Sequence, residues 1–349
     1  MPSIDPADRN YWTDESSARD DGAVSIELTY VDITRAAEVV ARELPATPLQ
    51  AHPLLDLALR ERGIAADVVI KHEHVLPTGS FKVRGGVHLA ATLTEPERAH
   101  GLVTCSTGNH AQSVAYGARL AGVRATVVMP GTAPAVKRDA VAALGAEVLV
   151  RGASLGEAAE AARAHAASSG GSFICPTDPR IVLGHATAYG ELFGQAAAAG
   201  TPLDAVLVPI GSGTGAAGAC LVRDALAPGC RIIGVQSAAA PAGWQSWRSG
   251  RIEQAPSTTR ASGLATTTGY ELTQRLLRGR LDDFLLVTDD DIDTAARLLA
   301  SRAHTLAEGA GAAALAGLIA SGPGARGLVA VMCTGANASA DEIARLAAA

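Results

Sequence analysis

The sequence predicts an α/β protein of two lobes, each an open parallel sheet with helices on both faces. Short β-branched runs alternate with longer alanine-rich stretches of helical pattern, and nearly every candidate strand is followed by such a stretch. Right-handed crossovers turn that alternation into parallel sheets. The 349 residues outgrow a single core, which points to two lobes with room for a buried cleft between them. With 48% hydrophobic but only 3% aromatic residues, the core has to be built from Ala, Val, Leu and Ile around closely approaching backbones. The 37 glycines suit that.

Taken in order, residues 1–25 form a polar, acidic arm. Candidate strands follow at 67–71, 102–105, 125–129, 147–150, 205–210, 232–236, 284–287 and 328–333. The segment 101–179 is a compact βαβαβα unit and forms the small lobe, whereas 26–100 and 180–349 form the large lobe. The chain re-enters the large lobe with a helix at Gly184. Weak periodicity and many Ser, Thr and Gly residues make 244–268 a surface excursion. Thr288-Asp289-Asp290-Asp291 is a helix start, because acidic side chains cap free backbone N–H groups and suit the helix dipole. A metal cluster is the other reading of those acids.

Charge and cysteine content exclude several classes of function. Thirty-five acidic residues against 29 basic ones give a net charge of −6, and no basic block could follow a nucleic-acid backbone or an anionic membrane. No apolar run is long enough to span a bilayer and the start is not signal-like, so a cytoplasmic protein without membrane or nucleic-acid partners is expected. The 5 cysteines are odd in number and lack CxxC spacing, which favours reduced core thiols over disulfides or zinc. Only Lys71, Lys82 and Lys137 are lysines, so any lysine-dependent chemistry is confined to three positions.

Four motifs follow candidate strands. Pro77-Thr78-Gly79-Ser80-Phe81-Lys82 places a lysine at a helix start near Phe81, where free amides disfavour a second cation and should lower the amine pKa. A Schiff-base lysine and an exposed lysine snorkelling to solvent are both open there, and Lys71 and Lys137 read foremost as exposed lysines. Ser106-Thr107-Gly108-Asn109-His110 gathers hydroxyls and helix-start amides that can hold an anion such as a carboxylate, or simply cap a helix. Gly211-Ser212-Gly213-Thr214-Gly215 lets backbone N–H groups converge on a phosphate. Gly213 to Gly218 also fits a dinucleotide fingerprint, but the next strand ends in Gln236-Ser237 without the acid that would hold a ribose. A single-phosphate site is the better reading. Cys333-Thr334-Gly335-Ala336-Asn337 brings a neutral hydroxyl to the C-terminal end of the last strand, where open α/β sheets bind ligands, or is a turn into the last helix.

In this order, the four motifs resemble the fold type II (tryptophan synthase β-like) pyridoxal-phosphate enzymes, in the threonine dehydratase/serine racemase branch. The resemblance runs from Thr47 to Asn337. It implies pyridoxal 5′-phosphate in the interlobe cleft, with Lys82 as its Schiff-base lysine and Phe81 against its pyridine ring. Asn109 resembles the donor to the 3′-oxygen, and Gly211, Ser212, Gly213, Thr214 and Gly215 the phosphate cradle, which is normally a tetraglycine. Thr334 resembles the residue that bonds the ring nitrogen. Ser106, Thr107, Gly108, Asn109 and His110 resemble the loop that grips the carboxylate of an amino-acid substrate.

The implied activity is dehydration of a small β-hydroxy-α-amino acid such as threonine or serine, giving a 2-oxo acid and ammonia. An amino-acid racemase, a hydroxyaspartate or hydroxyectoine-pathway dehydratase and a catalytically silent amino-acid-binding protein are the alternatives; His110 and Val83 argue against β-replacement. Relatives are commonly homodimers. Departures from the pattern are Thr107, where racemases of the branch have serine, and His185 in Leu183-Gly184-His185-Ala186-Thr187, where the family has GQGT. His185 either alters the pocket or packs in the core. Ser257 to Ala265 replaces the acids of metal-activated relatives, so no divalent metal is expected there, and Arg260 stands as a cation in its place. Glu308 in Ala307-Glu308-Gly309-Ala310-Gly311 matches the family's EPxG-like element. With only a short stretch after Asn337, feedback control through an isoleucine-sensing domain is not expected.

Overall fold

The computed structural model describes residues 27–348, so the arm expected at 1–25 lies outside the described residues. Helix α1 (Tyr30–Glu43), strand β1 (Leu49–Ala51), α2 (Pro53–Arg60) and β2 (Asp67–His72) precede α3 (Lys82–Ala91) and α4 (Glu95–His100). A regular alternation follows: β3 (Leu102–Cys105), α5 (Asn109–Ala121), β4 (Ala125–Met129), α6 (Ala135–Ala143), β5 (Glu147–Val150), α7 (Leu155–Ser169) and β6 (Ser172–Phe173). The long helix α8 (Pro179–Ala198) leads to β7 (Ala205–Pro209), α9 (Thr214–Leu226), β8 (Arg231–Ser237) and α10 (Ala242–Ser249). The chain closes with α11 (Glu271–Leu277), β9 (Asp283–Val287), α12 (Asp289–Arg302), α13 (Gly309–Ser321), β10 (Leu328–Cys333) and α14 (Ala340–Ala347).

The strands form two sheets. One has six strands in the order β1-β2-β10-β7-β8-β9, the other four in the order β5-β4-β3-β6. Every pairing is parallel except β1 with β2, where Leu49 faces Lys71. Helices cover both faces of each sheet, which explains why central strands such as Ala125–Met129 are buried throughout and carry continuous apolar runs. On one face of the larger sheet, Leu59 of α2, Leu299 of α12 and Leu315 of α13 pack against Val68, Leu207 and Val331. On the other, Ile33 of α1, Leu192 of α8, Cys220 of α9 and Leu277 of α11 pack against Val206, Ile232 and Met332. The smaller sheet lies between α5, with Val114, and α7, with Ala158 and Ala162. Leu89 of α3 and Leu93 just beyond it join that smaller core, so α3 serves both sheets.

Two sequence expectations are corrected and a third is refined. The helix expected at Gly184 begins at Pro179, with the Asp178 side chain accepting from the Arg180 amide. Gly184 instead sits where α8 crosses α3, since a Cβ there would lie 2.5 Å from the Arg84 carbonyl oxygen. The stretch 244–268 is mostly exposed or half-buried, as expected of a surface excursion, but its inner side is tied to the core and lines the site. Trp244 donates its backbone N–H to Gln236 (2.9 Å) and its indole N–H to the Phe284 carbonyl (3.0 Å), and residues from Gln254 to Thr268 form a wall of the central cavity. Lys71 is fully buried rather than exposed. Its ammonium donates to Glu191 (2.5 Å), Gln195 (2.8 Å) and the Thr47 carbonyl (2.8 Å). Strands β1 and β6 add to the eight expected from sequence.

The acidic run before α12 caps it. Thr288 Oγ1 accepts from the Asp291 N–H, and Asp291 accepts in return from the Thr288 N–H. Arg260 is paired to Asp290 (2.6 Å) and Asp293 (2.9 Å), so its guanidinium fastens the 257–265 loop to α12. Among the described residues there is no group of three His, Cys, Asp or Glu side chains able to hold a metal ion, and no helix long and apolar enough to cross a membrane. All five cysteines are free thiols, and burial pushes those of Cys105, Cys220 and Cys230 up to about 12.

Candidate active site

The loops leaving the C-terminal ends of β3, β7 and β10 converge with the turn before α3 on one cavity of about 960 Å³. The Lys82 turn is zipped to the end of β10. Phe81 donates its N–H to the Thr334 carbonyl (3.0 Å), and Ala336 donates to the Gly79 carbonyl (2.9 Å). Helix α3 therefore starts at a position set by the sheet, and Lys82 is its first residue.

All the residues expected to bind cofactor or substrate border this cavity: Phe81 and Lys82, the loop Ser106 to His110, the loop Gly211 to Gly215, and Thr334. The Lys82 amine reaches across from α3 to the start of α9, where it donates to Thr214 Oγ1 at 3.1 Å. It also lies 4.9 Å from the centre of the Phe81 ring. Burial pulls this amine down to about 8, so a usable fraction is unprotonated near neutral pH. The loop before α9 turns on Gly213, whose φ of +85° only glycine adopts readily. The first amides of α9, with no carbonyl of their own helix to bond, form an anion cradle at its positive end. Thr273 donates its hydroxyl to the Ser212 carbonyl (2.7 Å) and fixes the loop from α11.

Opposite, Asn109 opens α5 and donates its side-chain N–H to Glu308 (2.6 Å), while its own oxygen accepts from Asn337 (2.8 Å). Burial pushes the Glu308 carboxyl up to about 7, against the opposing effect of the Asn109 bond. The motifs that contain Glu308 and Asn337 give neither residue a bonding partner, and the fold shows that both hold the Asn109 amide. Thr334 is buried, and its hydroxyl donates to the Ala310 carbonyl (3.2 Å).

In the loop before α5, the Ser106 hydroxyl accepts from the Gly108 N–H (3.2 Å). His110 is turned inward. Because Thr104 spends its proton on the Ile174 carbonyl (2.8 Å), its oxygen accepts from His110 Nε2 at 3.1 Å. Burial and the nearby Lys82 amine bring His110 down to about 4, so it is neutral in the folded protein. The unfolded chain takes up a proton at this residue between pH 6.5 and about 4, and stability falls as pH drops through that window. His110→Gln should therefore flatten the loss of stability between pH 6.5 and about 4, read as urea midpoints at both pH values. An unchanged difference would count against a buried neutral imidazole.

These groups fit a phosphorylated aromatic aldehyde. The amide cradle can take its phosphate, the Lys82 amine its aldehyde carbon, the Asn109 amide a phenolic oxygen, and the Thr334 hydroxyl a ring nitrogen. Fold and site thus fit the class of α/β enzymes that use a pyridoxal cofactor.

Comparison with known proteins agrees. Residues 42–335 match the family described as pyridoxal-phosphate dependent enzyme, and the chain belongs to that family and depends on pyridoxal phosphate. It is 33% identical over 294 residues to L-threo-3-hydroxyaspartate ammonia-lyase of Saccharomyces cerevisiae, covering 83% of this chain and 87% of that protein. It is 34% identical over 321 residues to L-threonine ammonia-lyase of Thermotoga maritima, covering 91% and 78%. Among solved structures, a threonine deaminase from T.th. superposes with a TM-score of 0.84 at 37% identity, covering 89% of this chain and 99% of that one. Maize serine racemase superposes with 0.83 at 25% identity, covering 91% and 96%.

Proposed function

We propose that the protein is a pyridoxal-phosphate-dependent ammonia-lyase that dehydrates a small β-hydroxy-α-amino acid of the threonine or serine type. The observation that carries this reading is one cavity framed by an amine of lowered pKa, Lys82, and a neutral hydroxyl, Thr334, with a phosphate cradle at the amine. Relatives named as threonine and hydroxyaspartate ammonia-lyases support it.

When bound, the cofactor supplies a sink for the electron pair left at the substrate's Cα. The chain does the rest. Lys82 takes the Cα proton as general base. Thr334, being uncharged, does not balance a positive ring nitrogen as a carboxylate would, so electron density is returned towards Cβ and the β-hydroxyl leaves as water, the proton taken from Cα closing the balance. The loop Ser106 to His110 supplies N–H and hydroxyl donors to the substrate carboxylate, which fixes the Cα–H bond relative to Lys82. Asn109, held by Glu308 and Asn337, orients the cofactor ring. Water is lost across Cα–Cβ and regained at Cα as ammonia departs, which leaves the 2-oxo acid.

Incubation with L-threonine, L-serine and threo-3-hydroxyaspartate in D₂O should release keto acid and ammonia in equal amounts from at least one of them. Racemisation is the second reading, because the Thr107 hydroxyl borders the same cavity. Deuterium in the opposite enantiomer without keto acid would establish it and reject the lyase. A cytoplasmic homodimer goes with the proposal, supported by the free thiols and by the resemblance to dimeric relatives.

A further inference from the structure

Two departures from the family pattern, a threonine within the glycine cradle and a histidine in place of glutamine on α8, meet in the structure. Thr214 Oγ1 lies 2.9 Å from His185 Nδ1 and 3.1 Å from the Lys82 amine. The other imidazole nitrogen, Nε2, lies 3.3 Å from the Lys82 carbonyl oxygen. His185 is fully buried, and its ring packs on Phe81 with centroids 4.7 Å apart.

The direction of each bond follows from what each atom can do. A carbonyl oxygen only accepts, so His185 Nε2 carries the ring proton and donates to Lys82 O. Lys82 O has a second lone pair, which takes the Ser113 hydroxyl. Burial, with Lys82 and His110 adding to it, holds His185 well below the usual imidazole range, so the ring is neutral and Nδ1 is an acceptor. Nδ1 accepts the Thr214 hydroxyl proton. With that proton spent, the lone pairs of Thr214 Oγ1 are left for the Lys82 amine.

We propose that Thr214 and His185 are a positioning pair for Lys82: the imidazole sets the rotor of the threonine hydroxyl, and the hydroxyl holds the free amine at the rim of the phosphate cradle. The pair closes a ring of bonds that begins and ends on Lys82, from side-chain nitrogen to backbone oxygen. Histidine serves here because it presents an acceptor on one side and a donor on the other in one rigid ring. Among the described residues, the other titratable groups that interact with the amine are imidazoles. His110 and His185 are both neutral and lend no negative charge. The hydroxyl is therefore the polar group that favours the charged amine over the neutral one. Its alignment decides how readily Lys82 holds a proton between successive reactions. This inference rests on Lys82 being the cofactor-bearing lysine, which borohydride trapping and peptide mass mapping test separately.

With only three lysines in the chain, ¹³Cε-lysine labelling of the full-length protein after cofactor removal gives three side-chain signals, and Lys82→Ala identifies the one of interest. Removing the hydroxyl in Thr214→Val should lower the proton affinity of Lys82 about threefold to tenfold, the effect of losing one hydrogen bond to the charged form. Thr214→Ser should stay within about twofold of wild type. His185→Phe frees the hydroxyl to turn its proton towards the amine and should shift the titration the same way, whereas His185→Gln keeps an acceptor and shifts it less. In the holoenzyme, the acid limb of the kcat profile of Thr214→Val should move to lower pH. A merely structural pair would lower the unfolding midpoint and leave the Lys82 titration in place, and that result overturns the proposal. Thr214→Ala removes the same hydroxyl and serves if the valine variant does not fold.

Discussion

Replacing Lys82 with alanine should abolish the borohydride-reducible bond between chain and cofactor and lower kcat by at least about 10³-fold, within the range lost when a positioned general base is removed. The reason lies in the other two lysines. Lys71 is sealed against Glu191 of α8 and does not line the cavity, and the Lys137 amine donates to the Asn337 carbonyl at 3.3 Å. Neither occupies the position of Lys82 beside the Thr214 hydroxyl and the Phe81 ring. Arginine cannot stand in, because a guanidinium does not deprotonate near neutral pH. A small primary amine can enter the space left in the cavity, so methylamine should restore part of the activity to Lys82→Ala and none to Lys82→Arg. Mass mapping of the reduced adduct and kcat with and without added amine check this. An adduct that persists in Lys82→Ala would reject the assignment of the cofactor lysine.

The site was legible in the sequence because its parts are local. Gly211 to Gly215 and Thr334 follow an apolar strand almost at once, and Ser80-Phe81-Lys82 follows β2 after a short turn, so turn and strand signals together place them at the same end of a sheet. Central strands such as Leu102–Cys105 and Ala125–Met129 read clearly, since burial on both faces demands an unbroken apolar run. The two shortest edge strands do not, although the longer edges Glu147–Val150 and Asp283–Val287 do. Leu49–Ala51 and Ser172–Phe173 are three and two residues long, and it is the neighbouring strand that makes them strands. Gly184 misleads for a related reason: glycine marks helix ends, but here it marks a crossing with Arg84, far back in the chain. The partners of Lys71, His185 and Asn109 are equally remote. Glu191 lies 120 residues from Lys71, and Glu308 lies 199 from Asn109. No periodicity or spacing announces such pairs, because they are made by the packing of α3 and α8 and by the approach of β10 to the loop after β3.

The second large effect is expected at Glu73, which no motif marks. Its carboxylate is fully buried and takes both Arg84 Nε (2.7 Å) and Arg84 Nη2 (2.8 Å), as well as the Thr47 hydroxyl (2.7 Å). Arg84 Nη2 continues to Glu191 (3.1 Å), and Glu191 to Lys71. The network ties β2 and α8 to α3 two residues beyond Lys82. Glu73→Gln keeps the shape but leaves the buried guanidinium with half of its charge compensation, and breaking a buried pair from one side costs about 3–5 kcal/mol. Glu191 alone cannot make this good, because it is shared with Lys71 and lies nearer solvent. Urea unfolding should show that loss as a lower midpoint at unchanged slope. The double variant Glu73→Gln, Arg84→Met removes the stranded charge and should recover at least half of it. A single variant within about 1 kcal/mol of wild type, well short of the cost of a broken buried pair, would mean that water or Glu191 already balances Arg84, and that α3 is anchored by its packing on α5 and α8 rather than by this charge.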